Sequence, residues 1–325
     1  MIRIALAGCG GWGKNLARNL AELGALDLIV DPAPQAAELA GTLGVRHAAA
    51  LDAALDDPAI DAIAVATPAA THVEVATSAL HAGKHVYVEK PIALSIDEGE
   101  ELKLLAESRG LTLMVGHLLQ YHPVFQTLLA LSRDAELGRI SFIGSNRLNF
   151  GLLRSEENVA WSFAPHDISM VLALAGRRPL RVMANGQDIL QAGIPDIATL
   201  RLDFGDGLIS EIRASWLHPE KEQKLVVVGD AAMAVFSDRE VWDRKLQLFR
   251  NEVLWDGSRP KAQPGTAEYV AIPPGEPLKA EMQHFIDCVA RDESPRTDAD
   301  EAIAVLAVLQ AAQQSMDADG LWISL

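Results

Sequence analysis

IRIALAGCGGWGKNLARNLAEL, residues 2–23, places a short apolar run, Ile2 to Ala7, directly before a cluster of glycines. From Lys14 the apolar residues recur at helical spacing, so the stretch reads as strand, tight turn and helix. The turn itself, Gly8-Cys9-Gly10-Gly11-Trp12-Gly13, fits G-x-G-x-x-G. Glycines at those places let backbone N–H groups approach a pyrophosphate at the helix N-terminus, where unsatisfied amides and the macrodipole favour negative charge. Gly8, Gly10, Gly11, Trp12 and Gly13 are therefore candidate cofactor-binding residues. The stretch also nearly fits the triphosphate loop G-x-x-x-x-G-K, but Asn15 stands where that motif needs a Ser or Thr for Mg²⁺.

Outward from this turn the alternation continues. Leu26 to Val30 is a second strand-like run, Gln35 to Leu43 a helix, Ala62 to Ala66 a strand and His72 to His81 a helix. His85 to Val88 is extended, Asp97 to Ser108 helical, and Leu111 to Val115 a further strand. Strands alternating with helices predict a doubly wound parallel sheet, a Rossmann domain over residues 1–118. Asp31 closes the second strand, where an acid accepts hydrogen bonds from the adenosine ribose. NAD is favoured over NADP, because this carboxylate repels a 2′-phosphate and Pro32 offers it no guanidinium. An Asp before Pro also serves simply to start a turn.

After residue 118 the rhythm changes to long strand-like stretches, Ile140 to Asn149, Leu180 to Ile189, Ile197 to Phe204 and Leu208 to Trp216. Asp206-Gly207 joins the last two as a hairpin signal. Lys224 to Val228 and Ala231 to Phe236 continue the pattern, Pro260 to Pro264 and Pro273-Pro274 read as linkers, and helices return at Leu278 to Ala290 and Asp300 to Met316. The chain is thus read as α/β. Its Rossmann domain is followed over residues 119–325 by an α+β domain with a largely antiparallel, open-faced sheet, for substrate binding and oligomerisation.

Lys and Arg number 28 against 44 Asp and Glu, a net charge of −16 that repels phosphate backbones and anionic lipid surfaces. No nucleic acid and no membrane is expected as a partner. Cys9 and Cys288 show neither zinc nor redox spacing and read as buried residues in a reducing compartment. No leader pattern and no apolar run of about 18 residues occurs, which makes the cytoplasm the expected location. His117 and His122 share H-x-x-x-x-H spacing without a third ligand, so no metal is expected.

Residues 66–95, ATPAATHVEVATSALHAGKHVYVEKPIALS, carry a denser signal, followed by LMVGH at 113–117. Thr67, Pro68 and His72 form T-P-x-x-x-H, and A-G-K-H-V-x-x-E-K-P ends in Glu89, Lys90 and Pro91. Farther on stand His166-Asp167-Ile168-Ser169 and EPLKAEMQHFIDCV at 276–289. Together these stretches resemble the Gfo/Idh/MocA family of oxidoreductases over nearly the whole chain. The segment ENVAWSFAPHDIS, 157–169, looks most like members acting on nucleotide-linked amino sugars or uronic acids.

The resemblance implies an NAD-dependent dehydrogenase or reductase that moves a hydride between nicotinamide and a secondary alcohol or ketone of a sugar or nucleotide sugar. It adds Thr67, Pro68, His72, Glu89 and Lys90 to the cofactor-binding set and makes the Lys90–Pro91 bond cis. Lys90 and His166 become the catalytic pair. Alcohol oxidation requires such groups on its own account: one takes the hydroxyl proton and another holds the oxygen as it becomes a carbonyl. Lys90, His117, Tyr121, Arg147, Asn149, Ser162 and His166 form the substrate-facing set, Arg147 as a bidentate receiver of a carboxylate or phosphate. Pro165 reads as the start of a helix with His166 at its N-terminus, and Asp167 either orients His166 or, more simply, caps that helix.

One departure matters. The family pattern has an Asp four residues before the His, where this chain has Ser162. Either Lys90 and His166 suffice, or Ser162 relays a proton, or the chain is a non-catalytic NAD- and sugar-binding regulator or sensor of the same fold. By analogy a homodimer or homotetramer is expected.

Overall fold

The computed structural model describes residues 2–325. They gather into two compact units. One holds the chain up to Tyr121 together with Glu276–Leu306, and the other holds His122–Gly275 with Ala307–Leu325. Residues 276–306, which the sequence reading gives to the second domain, gather with the first unit.

The first unit runs β1 (Ile4–Ala7), α1 (Gly13–Glu22), β2 (Leu26–Val30), α2 (Pro34–Leu43), β3 (Arg46–Ala48), α3 (Asp52–Leu55), β4 (Ala62–Val65), α4 (His72–His81), β5 (His85–Glu89), α5 (Ile96–Arg109) and β6 (Leu113–Gly116). Its six strands are ordered β3-β2-β1-β4-β5-β6 and all pair in parallel. β1 and β4, IALA and AIAV, are buried along their whole length, as central parallel strands covered on both faces require. Ile4 and Leu6 pack with Leu16 and Leu20 of α1 and with Leu278, Met282 and Phe285, which arrive much later in the chain. α5 starts with a full capping box, Ser95 and Glu98 each bonding the other's backbone N–H.

The second unit runs α6 (Pro123–Arg133), β7 (Ile140–Phe150), α7 (Val159–Ala175), β8 (Arg181–Gln187), β9 (Ile197–Asp203), β10 (Ile209–Ser215), β11 (Leu217–Gly229), β12 (Met233–Ser237), β13 (Leu246–Phe249), β14 (Glu252–Asp256), β15 (Arg259–Gln263) and β16 (Ala267–Tyr269). α8 (Pro277–Arg291) belongs to the first unit, α9 (Ala299–Asp317) gives its beginning to the first and its remainder to the second, and β17 (Ile323–Ser324) ends the series. Nine strands form one sheet, β16-β13-β12-β11-β7-β10-β9-β8-β17, antiparallel except where β10 lies parallel to β7. α7 packs on this sheet through β7, β9 and β10. Gly205, Asp206 and Gly207 all have positive φ, which makes the expected β9–β10 hairpin turn.

Two local readings are corrected. Pro260 to Pro264 is largely strand: Pro260 lies in β15, which among the described residues pairs with β14 alone, so its missing N–H interrupts no interior ladder. The helix expected to start after Pro165 starts at Val159, with Asn158 capping it by accepting from the N–H groups of Ala160 and Trp161. Pro165 is inside the helix. Among the described residues no helix is long and apolar enough to cross a membrane.

Asp196, just before β9 and 2% exposed, is the polar anchor of this unit. It accepts from the N–H groups of Ile189 and Leu190, each at 2.8 Å, and from the indole of fully buried Trp216. Burial acts to raise its pKa, but the N–H of Leu190, the Trp216 indole and the N–H of Ile189 outweigh this and hold it below the usual carboxylate value. Its contribution to stability is complete above the unfolded value of about 4 and is lost as pH falls through the lower folded one. Asp196→Ala should therefore cost about 2–4 kcal/mol at pH 7, since three donors lose their acceptor. Urea unfolding should also show a shallower acid-side decline in the variant; an unchanged midpoint would refute this role.

Candidate active site

The phosphate-facing part is the turn from β1 into α1. Gly8 has φ +90°, and a Cβ there would stand 2.7 Å from backbone atoms of Ala66 and Thr67. At Gly13 a Cβ would stand 2.2 Å from the carbonyl oxygen of Gly8. These two glycines let the strand turn sharply into the helix and let the loop lie against the end of β4. Gly10 and Gly11 differ, with nothing within 4 Å of their Cβ positions. The open backbone between them fits a bound pyrophosphate, which needs close approach to main-chain amides.

Asp31 follows β2 and accepts from Cys9 N–H at 2.6 Å and from Ala33 N–H at 2.8 Å. Both sequence readings of Asp31 coexist: it starts the turn into α2, and its partly exposed carboxylate lies beside the glycine loop. Each carboxylate oxygen retains a lone pair for a further donor such as a ribose hydroxyl. Burial, then the Asp31 charge, pushes the Cys9 thiol up, which keeps it protonated.

The T-P-x-x-x-H and E-K-P motifs meet through His72. Its ring, 2% exposed, has Nδ1 at 2.8 Å from the Pro91 carbonyl and Nε2 at 2.9 Å from that of Thr67. The histidine thus braces the turn after β4 against the turn after β5 rather than offering a ring nitrogen to a ligand. Burial holds its pKa below the usual histidine value. Thr71 donates to the Thr67 hydroxyl at 2.9 Å, and Pro68 is exposed. The Lys90–Pro91 peptide is cis, as the resemblance implied, and Lys90 is partly exposed. Glu89 accepts from the Trp12 indole at 2.6 Å and from the Tyr87 hydroxyl at 2.9 Å.

Two residues expected to face substrate are engaged inside the first unit. His117, 2% exposed, pairs through Nδ1 with Glu301. Tyr121, 4% exposed, shares a 3.0 Å hydrogen bond with Thr297, and burial raises its hydroxyl above the usual phenol value. His122, in the second unit, caps α6 by accepting from Val124 N–H at 3.1 Å and faces Asp238 at 3.4 Å. The two histidines of H-x-x-x-x-H thus answer to different carboxylates.

In the second unit Ser162 and His166 are four residues apart on α7 and share one face of it. His166 is mid-helix, not at a helix N-terminus. Asp167, 1% exposed, caps nothing: it takes Arg147 Nε on one oxygen, and Ser145 Oγ at 2.5 Å and Arg147 Nη2 at 3.3 Å on the other. Arg147, expected to receive a substrate anion, instead clamps this buried carboxylate and fixes α7 on β7. Asn149, on the same face of β7, keeps a buried amide oxygen without a hydrogen-bond partner.

The partners Tyr87, Ser145, Glu281 and Glu301 went unremarked in the sequence. Tyr87 is two positions before Glu89 on a strand, hence on its face, a signal that alternation offers. Glu281 lies with Leu278, Met282 and Phe285 on the buried stripe of α8, where a charged residue in an apolar pattern is a flag.

Residues 2–117 match the oxidoreductase family with an NAD-binding Rossmann fold, and residues 125–235 match the Gfo/Idh/MocA C-terminal domain. UDP-N-acetylglucosamine 3-dehydrogenase of Acidithiobacillus ferrooxidans is 28% identical over 291 residues, 89% of either chain. A solved structure of that enzyme superposes with TM-score 0.86 at 26% identity, covering 98% of both chains. 4-carboxy-2-hydroxymuconate-6-semialdehyde dehydrogenase of a Sphingobium species is 30% identical over 228 residues, 66% of this chain and 72% of that one. A protein of gentamicin A biosynthesis, solved in complex with NAD, shares the fold with TM-score 0.83 at 24% identity, over 100% of this chain and 96% of that one. With both family regions matched in order, the chain belongs to the Gfo/Idh/MocA family of oxidoreductases.

Proposed function

We propose that the chain is an NAD-dependent dehydrogenase or reductase acting on a secondary alcohol or ketone of a nucleotide-linked sugar. The observation that carries this reading is the glycine turn, open at Gly10 and Gly11 and flanked by Asp31, with Lys90 directly after the β5 strand of the same sheet. The similarity to a UDP-N-acetylglucosamine 3-dehydrogenase over 89% of the chain supports the substrate class. NAD bound there supplies the hydride acceptor. With NAD bound there, the Gly10 and Gly11 amides would hold its pyrophosphate and the Asp31 carboxylate would accept from its ribose.

Lys90 and His166 divide the remaining work: one removes the hydroxyl proton while the other stabilises the oxygen that becomes carbonyl. Ser162 stands one turn before His166, at the place where the family pattern has an Asp. Two free, buried cysteines suit a cytoplasmic enzyme.

NAD should bind more tightly than NADP by about 1–3 kcal/mol, because Asp31 repels a 2′-phosphate. Calorimetry with both cofactors decides it, and equal or tighter NADP binding would sink the assignment. Turnover with a panel of UDP-linked and free sugars, read as NAD reduction, tests the substrate class. Lys90→Met should lower kcat by about 10²–10⁴ while leaving NAD affinity within a few-fold, and His166→Ala should lower it comparably. Ser162→Asp should move the ionisation that governs kcat/KM upward, because a carboxylate beside an imidazole favours the imidazolium. A large loss in Ser162→Ala alone would instead put the hydroxyl in the proton path.

Self-association is proposed on two features of the second unit. Phe142, Val226, Val228, Met233 and Val235 lie on one half-buried face of the nine-stranded sheet. The β14–β15 hairpin pairs Val253 with Ala262 and Trp255 with Pro260 on an apolar face, Val253 being 60% and Trp255 68% exposed. Light scattering should give a dimer or tetramer mass. Val228→Lys with Trp255→Lys should move it toward the monomer, and a monomeric wild type would remove the proposal.

A further inference from the structure

The glycine turn is held at both shoulders of its open stretch. On one side the Asp31 carboxylate takes Cys9 N–H at 2.6 Å. On the other the Trp12 indole donates to Glu89 Oε1, also at 2.6 Å. Between these two anchors lie Gly10 and Gly11, which have no side chains and no neighbours at their Cβ positions, and α1 begins without a side-chain cap. Two such residues are conformationally permissive, so the direction of their amides depends on what fixes the residues beside them.

Glu89 is built to be such a fixture. Its Oε1 also accepts from the Tyr87 hydroxyl at 2.9 Å. Gly116, paired with Glu89 across β5 and β6, leaves room for this arrangement: a Cβ there would stand 2.5 Å from the Tyr87 hydroxyl and 2.9 Å from Glu89 Oε2. Behind Tyr87 lie the Phe285 ring, with centroids 5.9 Å apart, and the fully buried carboxyl of Glu281. Burial pushes both the Tyr87 phenol and the Glu281 carboxyl well above their ordinary values. Tyr87 therefore keeps its proton and stays a donor to Glu89. The next residue after Glu89 is Lys90.

We propose that Glu89 is a positioning residue that latches the glycine turn, through the Trp12 indole, to the end of β5, so that the cofactor-facing amides and the Lys90 side chain keep one fixed relation. The proposal rests on the NAD reading above and gives Glu89 a role other than direct contact with the cofactor. A shared bond has a signature: once one partner is gone, removing the other costs nothing further through that bond.

The test is a double-mutant cycle on the full chain, with NADH dissociation constants read from the cofactor's own fluorescence and thermal midpoints measured alongside. Trp12→Phe keeps an aromatic ring without the N–H, and Glu89→Ala removes the acceptor. Each should weaken NADH by about five- to twentyfold, the double variant no more than the weaker single, and Glu89→Gln, which retains an acceptor oxygen, should recover most of the affinity. Should Glu89→Ala fail to fold, Trp12→Phe alone and combined with Glu89→Gln decide: Trp12→Phe should weaken NADH by the same roughly five- to twentyfold, and adding Glu89→Gln should cost nothing further. Additive losses, or NADH affinity unchanged while only the thermal midpoint falls, would overturn the latch and leave the cofactor reading intact. A wild-type protein that does not bind NADH would overturn both.

Discussion

Gly8 and Gly13 bring two stretches of main chain so close that a single methyl group at either would force them apart. Much of the first unit follows from that crowding. The strand must end where it does, the helix must begin within one turn, and the loop must lie along the backbone of Ala66 and Thr67. β4, the neighbour of β1 in the sheet, thereby becomes a wall of the same cradle, and His72 carries the constraint onward to the turn after β5. Three loops at the carboxyl ends of three parallel strands are thus fixed by backbone contacts and one buried ring. Ligands of open α/β sheets bind at that end of the strands.

The second unit solves a different problem, which is to hold a polar helix face steady on a sheet. α7 is buried along most of its length and has a proline in its seventh position, where one main-chain hydrogen bond is missing. The Asp167 carboxylate, held by Arg147 and Ser145 from β7, fixes the helix at the next turn and so fixes the rotation of His166 and Ser162 about the helix axis. A buried pair of this sort adds little net stability but is costly to break by halves, which makes it a register pin.

How much of this was legible beforehand varied with the range of the interaction. The Rossmann unit was readable because its signals are local: uniformly apolar strands, a glycine pattern at fixed spacing, and an acid at the end of the second strand. The mostly antiparallel sheet was readable from alternation. α7 was misplaced because Pro165 is a helix-start signal in isolation, while the competing signal, Asn158 before an apolar run, is equally local and decided the outcome. Arg147 and Asp167 were each assigned a plausible solitary task, and no pattern in one strand or one helix announces that they neutralise each other. His117 and Glu301, 184 positions apart, present the same difficulty on a larger scale. The β14–β15 hairpin escaped because two prolines suggested a linker, and because Val253, Leu254 and Trp255 form a continuous apolar run with no alternation to mark a strand.

The return of α8 to the first unit has a bearing on how the molecule comes into being. Leu278, Met282 and Phe285 fill the same cluster as Ile4, Leu6 and Leu16, so that core stays incomplete until almost nine-tenths of the polypeptide has been synthesised. The amino-terminal strands can pair early, yet the surface that α8 will cover stays wet, or in the keeping of a chaperone, while eight of the nine strands of the second sheet are being made. Contacts this distant in sequence slow folding, because a long loop must close before any burial rewards it. The order of the elements along the chain therefore links the maturation of the nucleotide fold to the completion of its companion.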